Sequence, residues 1–373
     1  MNGTELIARI LKSEGVEWMA CFPSNPLIEA AAKEGIRPIA FRQERGGMMA
    51  ADGFSRVSDR QRFGVFAMQA AAGAENSVGG IAQAYADNVP VLILPGGAPL
   101  SRAGIRPTFS AVENYRGIVK HAEVIMRPTQ VADAMRRAFH ALRNGRPGPV
   151  VVEMTTDVCG QDVPEEAAEY RSPKISRQAP ASGDVRDAVK ALLAAKKPML
   201  WAGRGVLAAG ATAALTELAE LTEIPVYTTM PGKSAFDERH PLSLGTGGMT
   251  TTLAAHTWLD ESDLLFAVGS SMTLTNYGQS IPPGKTLIHN VDTPDEINKD
   301  FAIDYPLPGD ARLTLEAVID EVKAQIGEAG RKGQTGVAEA IAVLMKRWLD
   351  VWMPLLTSDD VPLNPYRVIW EIE

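Results

Sequence analysis

The run "VPVLILPG" (89–96) decides the fold class, because it stays apolar instead of alternating with polar residues. A strand that is apolar on both faces is typical of a parallel sheet covered by helices on both sides. Runs of the same kind precede and follow it: "WMACF" (18–22), "IRPIAF" (36–41), "RFGVFAM" (62–68) and "GPVVVEMT" (148–155). Segments of helical period separate them, most clearly at 73–87 and 129–143. The pattern predicts a doubly wound α/β domain over residues 1–160.

The alternation stops in a stretch rich in proline, serine and charge (160–184), which has the composition of an inter-domain linker. It then restarts with four further apolar runs: "PMLWAG" (198–203), "IPVYTT" (224–229), "DLLFAVG" (263–269) and "KTLIHNVD" (285–292). Helical stretches are predicted at about 208–223 and 250–261, and the pattern closes with "DARLTLEAVIDEVKAQI" (310–326). We therefore predict a second doubly wound domain over residues 181–330, also with a mainly parallel sheet.

Residues 331–373 follow a different pattern. An amphipathic helix "VAEAIAVLMKRWLDVWMPLL" (337–356) leads to "NPYRVIWEIE" (364–373). We interpret the helix as a linker and the final segment as the start of a third domain. Its apolar residues Val368, Ile369 and Trp370 would need further chain, or another chain, to bury them.

Composition limits the function classes. The chain has 45 acidic and 37 basic residues, a net charge of −8 and a pI near 5.3, which argues against nucleic acid or an anionic membrane as a partner. Two cysteines and five histidines without ligand spacing predict neither a disulfide framework nor a metal site. The N-terminus has no signal-peptide pattern, and no apolar run is long enough to span a membrane. We expect a cytoplasmic protein.

The strand-to-helix junctions are where chemistry is expected, because ligands of open α/β sheets bind beyond the carboxyl ends of the strands. Three junctions would open on one edge of the first sheet: "CFPSNP" (21–26), "FRQERGG" (41–47) and "MQAAAGAEN" (68–76). The second holds a lone acid, Glu44, between Arg42 and Arg45. Taken alone, Glu44 reads as a first-turn acid favoured by the helix dipole, and the first junction as a turn.

Taken together, these motifs point further. "FPSNP", "RQERGGMMAADGFSR", "GAENSVGGIAQAYADNVPVLIL" and "GRPGPVVVEMTTDV", in this order and spacing, resemble the N-terminal pyrimidine-binding domain of thiamine-diphosphate (ThDP) enzymes, nearest to the acetolactate-synthase-like branch. "KPMLWAGRGVLAAGA", "LAELTEIPVYTTMPGKSAFDERHPLSLGTGG" and "DESDLLFAVGSS" resemble the central domain of that family. The resemblance covers nearly the whole chain.

The resemblance implies a role for the lone acid. In the family, the glutamate at the position of Glu44 hydrogen-bonds the N1′ atom of the cofactor's aminopyrimidine and so promotes loss of the thiazolium C2 proton. The directions of Arg42 and Arg45 would influence how readily Glu44 takes a proton. By the same resemblance, the residues expected to bind the cofactor are Pro23, Ser24 and Asn25 at the pyrimidine end and Gly73 and Asn76 at the mouth of the site.

Two departures from the family widen the expected reaction. "AAAG" (70–73), preceded by Gln69, stands where acetolactate synthases usually have Ser-Gly-Pro-Gly, and "TFSAVEN" (108–114) keeps Phe109 but lacks the glutamine that follows it. Gln69 and Phe109 are the candidate substrate residues. The expected substrate is therefore a 2-oxo acid or a related carbonyl compound, for decarboxylation, carboligation or acyl transfer.

A third departure concerns the diphosphate. The family's "GDG…NN" motif supplies Mg²⁺ ligands, but the Gly-Asp pairs here, in "SGDVRD" and "PGDARL", lack a following Asn pair, so no metal ligand is assigned. We expect a truncated or split chain that is inactive alone, with the diphosphate and Mg²⁺ held by a missing domain or a separate chain. The loop "AGRGVLAAGA" (202–211) could bind FAD or ADP, since some relatives hold such a nucleotide in this domain. Its glycine fingerprint is incomplete, however, which favours simple packing.

The resemblance also implies a homo-oligomer, either a dimer or a tetramer, because the family's cofactor lies between the pyrimidine domain of one subunit and the diphosphate domain of another. One alternative stays open. A non-catalytic binding or scaffold protein could retain both α/β domains, with Glu44 left as an ordinary helix-start acid.

Overall fold

The computed structural model describes residues 1–58 and 62–372, which form two compact units, Met1–Ser176 and Arg177–Glu373. The boundary lies inside the stretch predicted as a linker. Each unit contains one six-stranded sheet in which every pair of neighbouring strands is parallel. This confirms the predicted α/β fold.

The first unit alternates strands and helices. Its strands are β1 (Trp18–Cys21), β2 (Arg37–Ala40), β3 (Gly64–Met68), β4 (Val91–Gly97), β5 (His121–Ile125) and β6 (Val150–Thr155). Its helices are α1 (Gly3–Ser13), α2 (Leu27–Lys33), α3 (Glu44–Val57), α4 (Ala72–Ala86), α5 (Ala111–Tyr115), α6 (Val131–Arg143) and α7 (Thr156–Cys159).

The order of the first sheet is β2-β1-β3-β4-β6-β5. Strands β3 and β6 are buried along their whole length, and apolar clusters cover both faces of the sheet, as the continuous apolar runs predict. Because all six strands are parallel, the segments that follow β1, β2, β3 and β4 emerge at the same carboxyl edge.

The second unit repeats this design. Its strands are β7 (Pro198–Ala202), β8 (Val226–Thr229), β9 (Ser243–Gly247), β10 (Leu264–Val268), β11 (Thr286–Val291) and β12 (Tyr305–Pro308). Its helices are α8 (Ser182–Ala194), α9 (Arg204–Ala208), α10 (Thr212–Thr222), α11 (Leu253–Glu261), α12 (Ala311–Ile326), α13 (Val337–Leu356) and α14 (Pro365–Ile372). The sheet order is β12-β11-β10-β7-β8-β9, the order of dinucleotide-binding folds.

The predicted helix at 337–356 is α13, which packs within the second unit through Ile341, a member of the apolar cluster that also contains Trp258 of α11. Among the residues that the structure describes, no helix combines the length and apolarity needed to cross a membrane.

Candidate active site

Glu44 is the first residue of α3, directly after β2, and only 6% of its surface is exposed. The side-chain amide of Asn76, in α4, donates a hydrogen bond to the Oε2 atom of Glu44 over 2.6 Å. Arg42 and Arg45 are both exposed, and neither forms an ion pair with Glu44 within residues 1–58 and 62–372. The carboxyl group therefore lies in a sheltered position next to the start of a helix, where a negative charge or a hydrogen-bond acceptor is favoured.

Gly73, in the first turn of α4, leaves the room that the Glu44 side chain needs. A Cβ atom at this position would lie 3.1 Å from Glu44 Oε1 and 2.8 Å from the Cγ atom of Gln69. Any larger residue would push one of these side chains away. The structure thus brings together Glu44, Gly73, Asn76 and Gln69, which the sequence places in two separate junctions.

Asn25 has a structural task at the same edge. Its Nδ2 atom donates to the carbonyl oxygens of Met68 (2.8 Å), at the end of β3, and Leu94 (3.0 Å), in the middle of β4. Its Oδ1 atom accepts from the backbone N–H of Leu27 at the start of α2. Both amide hydrogens are used, so the side chain fixes the loop after β1 against its neighbours. Pro23 and Ser24 are exposed in this loop.

Phe109 is half-buried in the long segment between β4 and β5. Its ring packs edge-on against Tyr115 of α5, with centroids 6.3 Å apart and an interplanar angle of 67°. The Tyr115 hydroxyl donates a hydrogen bond to the carbonyl oxygen of Ala74, which belongs to the first turn of α4. Phe109 is thereby connected to the helix that carries Gly73 and Asn76. Sequence reasoning did not identify Tyr115.

Chemically, the arrangement provides a buried carboxyl group that can accept a hydrogen bond or, when protonated, donate one, with its rotamer fixed by Asn76. A second buried carboxyl, Glu153 of β6, lies near this edge; it was not predicted, although an acid in an otherwise apolar strand was the available signal. The described residues contain no group of three or more His, Cys, Asp or Glu side chains placed to hold a metal ion.

Comparison with known proteins identifies the family of the chain. Residues 1–122 match the family model described as "Thiamine pyrophosphate enzyme, N-terminal TPP binding domain". Residues 185–318 match "Thiamine pyrophosphate enzyme, central domain". The chain belongs to the thiamine pyrophosphate enzyme family. Thiamine pyrophosphate is another name for ThDP.

Individual relatives support the same family assignment. The chain is 31% identical to a "Probable acetolactate synthase large subunit" of Methanococcus aeolicus, over 100% of this chain and 64% of that protein. It is 33% identical to the corresponding protein of Methanocaldococcus jannaschii, over 100% and 63%. It is 30% identical to "Acetolactate synthase isozyme 3 large subunit" of Escherichia coli K12, over 86% and 58%. The chain therefore spans less than two thirds of the length of these relatives.

The "AAAG" segment shows how this member of the thiamine pyrophosphate enzyme family departs from the acetolactate synthase pattern. Ala71, at the position of that pattern's first glycine, precedes α4 with φ +51° and ψ −103°. Residues with a Cβ atom rarely adopt this backbone conformation, whereas glycine adopts it readily. Ala71 therefore holds strained backbone directly beside the Glu44 site.

In the central domain, the glycines of the "AGRGVLAAGA" loop serve close packing. The backbone N–H groups of Gly203 and Gly205 donate to Val268 O (2.9 Å) and Gly269 O (2.7 Å). A Cβ atom on Gly205 would lie 2.7 Å from Gly269 Cα. These two N–H groups, which a bound diphosphate would need, are already used between the loops after β7 and β10. The contacts favour packing over an FAD or ADP site at this loop.

Proposed function

We propose that this chain provides the aminopyrimidine-binding part of a ThDP-dependent enzyme that acts on a 2-oxo acid or a related carbonyl compound. The reaction would be decarboxylation, carboligation or acyl transfer. The observation that supports this most directly is the buried Glu44 carboxyl group, which is held by Asn76 and accommodated by Gly73 at the carboxyl edge of the sheet. The names of the relatives, acetolactate synthases, agree with this reaction class.

Each residue has a proposed task. ThDP, when bound, supplies an electron sink for the substrate carbonyl carbon. Glu44 hydrogen-bonds the N1′ atom of the pyrimidine ring and holds or releases a proton there. Asn76 keeps the Glu44 rotamer fixed, and Asn25 keeps the loop with Pro23 and Ser24 in place at the pyrimidine end. Gln69, beside Gly73, and Phe109, which packs on Tyr115, are the candidate substrate contacts.

The diphosphate and Mg²⁺ of the cofactor require oxygen ligands that this sequence does not present in the family's motif. We propose that another domain or a separate chain holds them. The isolated 373-residue chain should then show no turnover. In the assembled enzyme, two copies of the first unit would associate, and each site would lie between the first unit of one subunit and the diphosphate-binding domain of another.

Self-association has a specific candidate surface. Met49 of α3 and Val78 and Tyr85 of α4 are exposed apolar side chains on helices rich in small residues, which allow close helix contact. Sedimentation at micromolar concentration should show a dimer or tetramer. A species of 40.0 kDa alone would contradict this part of the proposal.

A reconstitution experiment tests the catalytic proposal. The chain is mixed with ThDP, Mg²⁺ and a diphosphate-binding-domain protein from an acetolactate synthase, and exchange of the thiazolium C2 proton with solvent is followed by NMR. The proposal requires exchange faster than for free ThDP, and requires Glu44 for it. Binding of the cofactor without faster exchange would favour the alternative, a non-catalytic binding or scaffold protein.

A further inference from the structure

Glu153 is a buried acid for which the proposed mechanism has no use. It lies in β6 and is 5% exposed. Its Oε2 atom accepts a hydrogen bond from the backbone N–H of Val112 over 3.1 Å. Gly97, at the end of β4, makes room for it, since a Cβ atom there would lie 3.0 Å from Glu153 Oε1. The carboxyl group is thus enclosed between β4, β6 and the start of α5.

Helix α5 depends on this carboxyl group. The first N–H groups of any helix lack a partner within the helix, and a five-residue helix has few internal bonds to compensate. The side chain of Ser110 accepts from Glu113 N over 3.3 Å, and Glu153 accepts from Val112 N. Removing the Glu153 acceptor would leave a buried N–H without a partner, which is costly.

Tyr115 of α5 connects Glu153 to the Glu44 site. Tyr115, the last residue of α5, is fully buried, packs against Phe109, and donates its hydroxyl hydrogen to Ala74 O. Ala74 directly follows Gly73. The contacts therefore form one connected path from Glu153 through α5 and Tyr115 to the first turn of α4, beside Glu44.

The acid at this position also costs stability. Burial raises the pKa of Glu153 although the backbone N–H groups of Val112 and Ala111 lower it, so enclosure of the charge outweighs its hydrogen bonds. An apolar side chain of similar length would fill the same space without enclosing a charge, but it would leave the Val112 N–H without an acceptor. A group that lowers the stability of its domain while holding a loop beside the candidate site fits a positioning role.

We propose that Glu153 is a positioning residue, which fixes α5 by accepting the Val112 N–H and thereby sets the first turn of α4 against Glu44. The proposal deepens the proposed function, on which it rests for the task of Glu44. The path from Glu153 to α4 itself is independent of any cofactor.

Hydrogen exchange read by mass spectrometry tests the path in the chain as it is. In Glu153→Met, which keeps the length but removes the acceptor, amides of α5 and of the first turn of α4 should exchange roughly tenfold faster, the effect of losing one buried hydrogen bond. The melting temperature should change little, because the lost acceptor of the Val112 N–H opposes the gain from removing a buried charge. Glu153→Gln keeps an acceptor and should retain wild-type exchange in α5.

Two further variants locate the effect. Tyr115→Phe removes the hydroxyl, so exchange should rise in the first turn of α4 but not in α5. Thr155→Val is the matched control: it removes a buried polar group from the same strand, one that bonds Ile125 O and not α5, and should leave both segments unchanged.

The hydrogen-exchange results test the positioning role of Glu153 without the cofactor. Unchanged exchange of α5 in Glu153→Met would overturn the proposal, and so would faster exchange that spreads evenly over the unit with a lower melting temperature. C2 proton exchange in the reconstituted enzyme gives a separate readout, which should fall in Glu153→Met and persist in Glu153→Gln. If the wild type itself shows no C2 exchange, the proposed function fails, while hydrogen exchange still decides the role of Glu153.

Discussion

Asn76 holds the carboxyl group of Glu44 from a different helix, through a 2.6 Å hydrogen bond between Nδ2 and Oε2. The two residues are 32 positions apart and meet because α3 and α4 both begin at the carboxyl edge of the first sheet. The bond fixes the rotamer of a buried acid, and the proposed chemistry depends on that acid.

Glu44→Gln should lower turnover of the assembled enzyme at least about a hundredfold, the usual effect of removing a positioned proton-transfer group. Glutamine keeps the size of the side chain and an oxygen that can accept from Asn76, so the fold should persist. Steady-state rates and C2 proton exchange measure the effect. Glu75→Gln, which removes an exposed acid in the first turn of α4, is the control. Near-normal C2 exchange in Glu44→Gln would refute the assigned role.

Gly73→Ala should destabilise the first unit by about 1–3 kcal/mol, because the new Cβ atom would crowd Glu44 Oε1 and Gln69 Cγ. Gly53→Ala is a control of opposite sign. A Cβ atom at this position in α3 meets nothing within 4 Å, and alanine is the better helix former, so stability should rise by up to about 1 kcal/mol. Chemical denaturation measures both. Equal effects of the two substitutions would show that the space beside Glu44 is not restricted.

Ala71→Gly should stabilise the chain by about 1 kcal/mol, since glycine adopts the observed φ of +51° without steric strain and this gain exceeds its entropy cost. Ala72→Gly, at the first residue of α4, has no strain to relieve and should be neutral or destabilising. Thermal unfolding of the two variants gives the comparison. A lower stability of Ala71→Gly would mean that the backbone there is not strained.

Glu153→Gln should stabilise the first unit at neutral pH, because burial raises the pKa of Glu153 and the folded state therefore disfavours the charged carboxyl. Because the pKa of Glu153 is raised in the folded state, the contribution of this carboxyl group to stability is fully present below its ordinary pKa of 4.5. That contribution is lost as the pH rises through the raised pKa. The advantage of glutamine should therefore grow from acid to neutral pH.

Neighbouring charges also influence the pKa of Glu153. The carboxylate of Glu113 in α5 adds to the raised pKa of Glu153, whereas Glu123 of the adjacent strand β5 pairs with Arg137 on the other face of the sheet. Urea unfolding at several pH values, with the exposed Glu113→Gln as control, isolates the contribution of Glu153. An advantage that does not change with pH would contradict the assignment.

The isolated chain should bind ThDP no more tightly than roughly millimolar, about 4 kcal/mol, because only the pyrimidine end finds partners in it. Isothermal titration calorimetry with ThDP and Mg²⁺ measures this. Thiamine without phosphate should bind equally weakly, which separates the two ends of the cofactor. A micromolar, Mg²⁺-dependent dissociation constant would reveal a diphosphate site that the sequence motifs do not show.

The sequence by itself determined the architecture, because burial on both faces leaves a local mark. The central strands β3, β4, β6, β7, β10 and β11 are continuous apolar runs, and all were predicted within about two residues. Strands β5, β9 and β12 were not predicted. Two of them lie at the outer edges of the second sheet, and β5 lies at an edge of the first. Glycines in β9 and prolines in β12 weaken the strand pattern further.

The candidate site could be predicted only through its motifs. The resemblance supplied Glu44 and Asn76, but no local pattern shows that their side chains meet, that both amide hydrogens of Asn25 are used by β3 and β4, or that Glu153 reaches Ala74 through α5. Those relations depend on strand order, on the conformation of long loops and on the space left by Gly73 and Gly97. Hydrophobic period is a property of neighbours in the chain, whereas a hydrogen bond between distant residues exists only after the sheet has set their positions. The sequence therefore determined which surfaces are buried, and the tertiary structure decided which polar groups meet.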